Sequence, residues 1–266
     1  MRPQLNVSQS SIRSEDTSPF TAAVDRCEEL ARLRARSQKR KSMLVFGPEG
    51  VGKTKLLQQF VKTEPLALYV SQTGSPRELM LSIIQSLRAA GQRGLRFRPD
   101  LMSCSTNSLR ACVDAALDQI PFLLVLDQVS GPSRVVTGII KDLNYFDRTP
   151  ILFASRTYHM EDVGTLQSIC SDRSERTEVK NFVPEIALQF ARKQAEQAGL
   201  YASNLNVALA SMVEWSQGNP GSLIQMVAMA MLPKYRIEDQ IKVHVLYLDH
   251  LMGRHQVLPR THAPIK

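Results

Sequence analysis

Residues 43–57, MLVFGPEGVGKTKLL, run four apolar residues into a glycine-rich turn that closes on Lys53 and Thr54 and opens a helix-like stretch. Gly47, Gly52, Lys53 and Thr54 satisfy G-x-x-x-x-G-K-[ST], with Pro48, Glu49, Gly50 and Val51 inside the turn and Lys55 just beyond it. A strand-like run before the turn and an amphipathic run after it are the context that gives this spacing its meaning. Glycines let the backbone turn so that successive N–H groups line one hollow at a helix N-terminus, where phosphate oxygens are held. Lys53 is then placed to reach the β- and γ-phosphates, and Thr54 to ligate Mg²⁺. A chance turn would need the glycines, the lysine, the threonine and both flanks to coincide. The chain is therefore expected to bind a nucleoside triphosphate through residues Gly47 to Lys55, and no guanine-reading N-K-x-D motif accompanies the loop.

The rest of the chain repeats the strand-then-helix texture. Residues 121–129, PFLLVLDQV, carry five apolar residues from Phe122 to Leu126, as a strand buried on both faces requires. Asp127 stands at its C-terminal end, where a parallel sheet presents groups to a ligand, and is assigned to the Mg²⁺ shell opposite Thr54. Residues 149–157, TPILFASRT, are a strand of the same kind ending in Ser155 and Arg156, and 65–70 supply another. Helices are predicted at 21–37 with Val24, Leu30 and Leu33, at 76–90 with Leu79, Ile83 and Leu87 on one face, at 108–120 and at 132–146. This alternation predicts an α/β fold with a parallel sheet covered by helices on both faces. From about Pro184 the pattern turns to helix alone, the last helix with a stripe of Ile241, Val245, Leu248 and Met252, and Trp215 is expected to pack between these helices. The expected organisation is a polar arm at 1–19, an α/β domain at 20–183, a small all-helical lid domain at 184–255 and a loose basic tail at 256–266.

At 266 residues and 43% hydrophobic, the chain has enough material for such a core plus a small companion. Its longest apolar-rich segment, 222–232, is too short and too polar to span a bilayer, so no membrane partner and a cytoplasmic location are expected. Cys27, Cys104, Cys112 and Cys170 form no ligand-like spacing, and His244, His250 and His255 do not share a helical face, so neither set is read as a metal site. The net charge of +8 gathers in two runs. Arg32, Arg34, Arg36, Lys39, Arg40 and Lys41 fall within 32–41, and Arg88, Arg93, Arg96 and Arg98 within 87–98. Each run is a candidate contact for a DNA backbone, where neutralised phosphates add salt-dependent affinity, or else an ordinary solvated surface.

In this order, the pieces resemble the AAA+ and STAND branches of the P-loop ATPases, the group that includes origin-recognition, archaeal and transposition ATPases. The resemblance covers residues 20 to about 252 and rests on VDRCEEL at 24–30, GPEGVGKT, LLVLDQV, LFASR and GNPG at 218–221. It implies a P-loop NTPase core with a helical lid, ATP and Mg²⁺ as cofactors, Ser155 or Arg156 as sensor of the γ-phosphate, and Val24 to Arg26 with Pro220 beside the adenine. It also marks Arg173 and Arg176 as candidates for an arginine that reaches a neighbour's nucleotide. Two departures matter. Gln128 stands where such families carry an acidic residue after the Walker B aspartate, and an amide can orient a water but cannot take its proton. Hydrolysis involving Lys53, Asp127, Gln128 and Arg156 is thus expected to be slow, unless Glu49 or a partner supplies the base. Gly221 and Ser222 follow Pro220 in place of a lid arginine, which tilts the resemblance toward STAND proteins. The expected function is an ATP-dependent molecular switch with weak or partner-dependent ATPase activity, alone, as a homo-oligomer or with a protein partner. The alternatives are a self-assembling AAA+ ATPase on DNA, a phosphotransferase lacking a visible acceptor site, and a nucleotide-stabilised scaffold without turnover.

Overall fold

The computed structural model describes residues 26–71, 73–90, 103–145 and 148–253. The expected arm and tail, Val24, Arg93, Arg96, Arg98 and His255 lie outside these residues.

Five short strands, β1 (Met43–Phe46), β2 (Ala67–Val70), β3 (Leu123–Leu126), β4 (Ile151–Ser155) and β5 (Arg176–Glu178), form one sheet in the order β2-β3-β4-β1-β5. Every neighbouring pair is parallel. Parallel neighbours need long crossovers, and helices supply them. They are α2 (Lys53–Thr63) after β1, α3 (Pro76–Ala89) and α4 (Thr106–Gln119) after β2, α5 (Arg134–Asn144) after β3 and the short α6 (Met160–Val163) after β4, with α1 (Cys27–Gln38) preceding β1.

The strands are apolar on both sides because both sides are covered. Leu44, Leu124, Leu126, Ile151 and Phe153 pack with Leu79, Ile83 and Leu87 of α3 and with α4 and α5. Met43, Val45, Leu123, Val125, Leu152 and Ala154 face the other way, onto Leu30 and Leu33 of α1 and Leu56, Leu57 and Phe60 of α2. Alternation of side chains with a period of two splits each strand between these layers. The predicted helical face of α3 is therefore the buried one, and its start is fixed by a reciprocal cap: Ser75 accepts from the Glu78 N–H while Glu78 accepts from the Ser75 N–H.

Beyond β5 comes a unit with its own core, built from α7 (Pro184–Ala198), α8 (Leu205–Ser216), α9 (Pro220–Ala230) and α10 (Val243–Leu251). Two expectations need correction here. The unit is not helix alone, because β6 (Arg236–Ile237) and β7 (Gln240–Ile241) form an antiparallel hairpin before α10. Nor is there a stripe of Ile241, Val245, Leu248 and Met252. Ile241 is buried in β7, and since α10 starts only at Val243 the helix turns Leu246 inward and leaves Val245, Leu248 and Met252 exposed. Trp215 does pack between helices, its ring stacked 4.4 Å from that of Tyr247.

Gly138 lies within α5, and a methyl group there would meet nothing within 4 Å. Gly138→Ala is expected to raise stability by about 0.5–1 kcal/mol, since it removes backbone freedom from the unfolded chain and adds helix propensity. Urea denaturation showing a loss of stability would contradict the packing of α5.

Candidate functional site

The glycine-rich turn spans the gap between the C-terminal end of β1, which lies between β4 and the edge strand β5, and the start of α2. Gly52 takes φ +101° and Gly50 φ +76°, values that favour glycine. Every carbonyl from Gly47 to Val51 points at a donor. Lys53 Nζ donates to Gly47 O at 2.7 Å and to Pro48 O at 2.9 Å. Glu49 O accepts from Asn219 Nδ2 at 2.8 Å, Gly50 O from the Gly221 N–H at 2.9 Å, and Val51 O from Arg26 Nη2 at 3.1 Å. The N–H groups of Gly50, Gly52, Lys53 and Thr54, by contrast, have no acceptor among the described residues. Helix α2 has no side-chain cap and no acidic residue in its first turn. Unsatisfied donors at the positive end of a helix dipole are what a phosphate group needs, so the residues present fit a nucleotide's phosphates.

The charges around this turn are arranged for an anion and a cation together. Burial pulls the Lys53 ammonium below the usual lysine range, and the carboxylates of Asp127, Glu49 and Asp162 oppose that shift. Asp127 is buried at the end of β3, its Oδ1 accepting from the Gln128 N–H at 2.9 Å and its Oδ2 from the Tyr69 hydroxyl at 2.7 Å. By the pleat it continues the face of Leu123 and Val125, the face that α2 covers. Thr54, in the first turn of α2, is on that side of the sheet too. Both carry side-chain oxygen, the ligand type that a hard divalent cation takes.

The sensor candidates separate. Ser155 follows Ile151 and Phe153 to the opposite face, where its buried Oγ has no hydrogen-bond partner among the described residues. Arg156 sits nearer the turn, since its carbonyl accepts from the Gly47 N–H at 3.2 Å. Its guanidinium is held at 2.9 Å by Asp162, whose other oxygen accepts from Thr157 Oγ1 at 2.6 Å. These bonds hold the Asp162 carboxyl below the usual carboxylate range. Gln128 takes φ +55° and lines a hollow of about 380 Å³ with Ser71, Thr73 and Glu78, to which the glycine-rich turn contributes no residue.

The helical unit is bound directly to the turn. Asn219 caps α9 by accepting from the Ser222 N–H at 3.1 Å, while its amide holds Glu49 O and Asn181. Pro220 and Gly221 begin α9, and a methyl group on Gly221 would lie 2.7 Å from the Gly50 Cα. That contact accounts for a glycine where the resemblance led us to expect an arginine. Arg26 closes the same corner, donating to Val51 O and Lys180 O and lying 4.7 Å from the Phe182 ring centroid. Sequence reasoning missed Asn219, Tyr69 and Asp162. Only Asn219 had a signal, as the residue inside GNPG.

The basic run at 32–41 does not form one free face. Arg36 donates to Ser42 O and to Glu175, and Arg40 to the carbonyls of Pro121 and Arg148, at the end of the sheet away from the turn.

No protein-family model and no curated protein sequence matches the chain. Solved structures do. A Walker-type ATPase of Pyrococcus abyssi superposes with a TM-score of 0.57 at 15% identity, over 87% of this chain and 76% of that one. Cdc6p from Pyrobaculum aerophilum gives 0.59 at 12% identity, over 85% and 62% of the two chains. A STAND ATPase with a tetratricopeptide repeat sensor from Pyrococcus horikoshii gives 0.51 at 16% identity, over 86% and 32%. The chain thus spans less than two thirds of the Cdc6p chain and about a third of the STAND protein. What it shares with them is the fold, with the parallel α/β sheet that its strand and helix pattern led us to expect.

Gly221→Ala tests the contact between the turn and α9. In an exposed helix the change would stabilise by about 1 kcal/mol. Here the added methyl must push α9 from Gly50, so thermal unfolding is expected at lower temperature, and an increase would show that the close approach is absent.

Proposed function

We propose that the chain is an ATP- and Mg²⁺-dependent molecular switch of AAA+/STAND type, a P-loop ATPase whose hydrolysis is slow or depends on a partner. One observation carries the reading: the carbonyls of Gly47 to Val51 are all engaged by protein donors, while the N–H groups of Gly50, Gly52, Lys53 and Thr54 meet no acceptor among the described residues. The ammonium of Lys53 exchanges the Gly47 and Pro48 carbonyls for β- and γ-phosphate oxygens. A bound Mg²⁺ would neutralise charge that develops on the phosphates. Thr54 and Asp127 are the residues that would hold it. Arg26 and Pro220 are the described residues that would flank the adenine, so nucleotide and helical unit would meet near the Gly50–Gly221 contact, with residues 184–255 as the lid.

Hydrolysis needs a water aligned with the γ-phosphorus and a group to take its proton. Gln128 can orient that water only if its side chain turns out of the Glu78 hollow, and its amide accepts no proton. Glu49, exposed on the turn, is the carboxylate in the loop that could. The exposed head of Arg156, paired with the buried Asp162, is the group that a γ-phosphate would draw away. Exchange of Asp162 for phosphate makes the signal of the bound state.

A second reading, a self-assembling ATPase acting on DNA, is favoured by one feature. Beside the open edge of β5 lies a basic cleft of about 900 Å³, lined by Arg32, Arg36, Arg173, Arg176 and Lys180. Arg176 is committed to the carbonyls of Cys170 and Ser171, but Arg173 is exposed and its side chain forms no hydrogen bond or ion pair among the described residues. Under this reading Arg173 completes the site of a second copy, and ATP-dependent growth in particle mass with salt-sensitive DNA binding would favour it. No helix among the described residues is long and apolar enough to cross a membrane.

Lys53→Ala is expected to abolish ATP binding in titration calorimetry, because it removes the side chain that offsets the phosphate charge. Affinity equal to wild type would refute the phosphate site. Gln128→Glu is expected to raise single-turnover hydrolysis by roughly tenfold, the low end for a general base in imperfect geometry. No acceleration at any protein concentration in quenched flow would remove the slow-switch reading, and acceleration only at high concentration would favour the assembling ATPase.

A further inference from the structure

Asp127 is not a bare carboxylate at the end of β3. Its Oδ2 accepts from the Tyr69 hydroxyl at 2.7 Å and its Oδ1 from the Gln128 N–H at 2.9 Å, so each oxygen is held by one donor and keeps a lone pair for another. Tyr69 lies on β2, in register with Val125 of β3, and its half-buried ring packs on the α2 side of the sheet. The hydroxyl therefore crosses to Asp127 two residues further along the neighbouring strand and on the same face. The phenol ring thus packs in the layer that holds α2, the helix that presents Thr54, while its hydroxyl holds the end of the strand that presents Asp127, the two residues assigned to the metal.

We propose that Tyr69 is a positioning residue for the divalent cation: its hydroxyl fixes the orientation of the Asp127 carboxylate. The proposal rests on the nucleotide and Mg²⁺ reading given above. A phenol suits this role because it donates one hydrogen bond and brings no charge of its own beside the carboxylate. Groups that orient metal ligands in this way commonly change metal affinity by about 10–100-fold when removed. The Gln128 N–H remains as the second anchor of Asp127, so the low end of that range applies.

The test is Tyr69→Phe, which keeps the ring and deletes one oxygen, with ATP binding measured by calorimetry in Mg²⁺ and again in EDTA. Affinity in Mg²⁺ is expected to fall about tenfold. In EDTA it should stay within about twofold, and the melting temperature within a few degrees, which a merely structural role for Tyr69 would not produce. In an Asp127→Asn background the same change should have little further effect, because the hydroxyl acts through that carboxylate. Equal Mg²⁺ enhancement in wild type and Tyr69→Phe overturns the proposal alone, as does a loss of equal size in EDTA or full additivity with Asp127→Asn. Failure of the wild type itself to bind ATP overturns the nucleotide reading and this proposal with it.

Discussion

The arrangement of the site depends on how the turn from Gly47 to Gly52 spends its hydrogen bonds. A tight turn presents carbonyls as well as N–H groups, one more carbonyl than N–H here because of Pro48, and an anion can be held only if the carbonyls are turned away. Here Lys53, Asn219, Gly221 and Arg26 take all five carbonyls from Gly47 to Val51. Lys53 is part of the turn, but the other three donors come from the start of α1 and the start of α9. Buried backbone polar groups are rarely left unpaired, so displacing any of these donors would let the turn relax and spoil the hollow. The sheet contributes the fixed base: β1 lies between β4 and β5, and the Gly47 N–H is bound to Arg156 O at the end of β4.

This gives the helical unit a part in the site that does not depend on a charged lid residue. Its link to the turn is made by a backbone N–H and an amide, with Gly221 packed against Gly50 too closely for any side chain between them. A ligand that adjusts the turn must therefore adjust α9. Arg26 couples in a third segment, since it spans Val51 O, Lys180 O and the Phe182 ring where β5 leads into α7. Switching by such a device requires only that nucleotide states differ in how well they fit the turn. On the other side of the turn, Arg156 and Asp162 form an ion pair between an exposed head and a buried carboxylate, a contact that an incoming phosphate could compete for.

Much of this was legible in the residues because it is local. The phosphate turn is eight consecutive residues, 47–54, and the two-faced strands announce themselves as unbroken apolar runs ending in Asp127 and Ser155. What escaped is long-range or weakly marked. Asn219 reaches a carbonyl 170 residues away, and no spacing rule predicts that. Tyr69 read as one more strand aromatic until the register of β2 on β3 brought it to Asp127. Pleat alternation also sorted the sensor pair: Ser155 shares a face with Phe153, while Arg156 is tied to Asp162. The hairpin of β6 and β7 escaped because its strands have two residues each and its turn is Glu238-Asp239, without the usual glycine. The phase of α10 was misread for a related reason, since Ile241 belongs to that hairpin and not to the helix.

The central claim is that the Gly47–Thr54 turn is a phosphate site whose lysine rests on the turn's own carbonyls until a nucleotide replaces them. A crystal structure of the chain with Mg²⁺ and a non-hydrolysable ATP analogue addresses it most directly. The account expects the β- and γ-phosphates on the N–H groups of Gly50 to Thr54, with Lys53 Nζ moved from Gly47 O and Pro48 O to phosphate oxygens and the Gly221 contact to Gly50 kept. A nucleotide bound elsewhere, or Lys53 still on those two carbonyls with the phosphates in place, would contradict it.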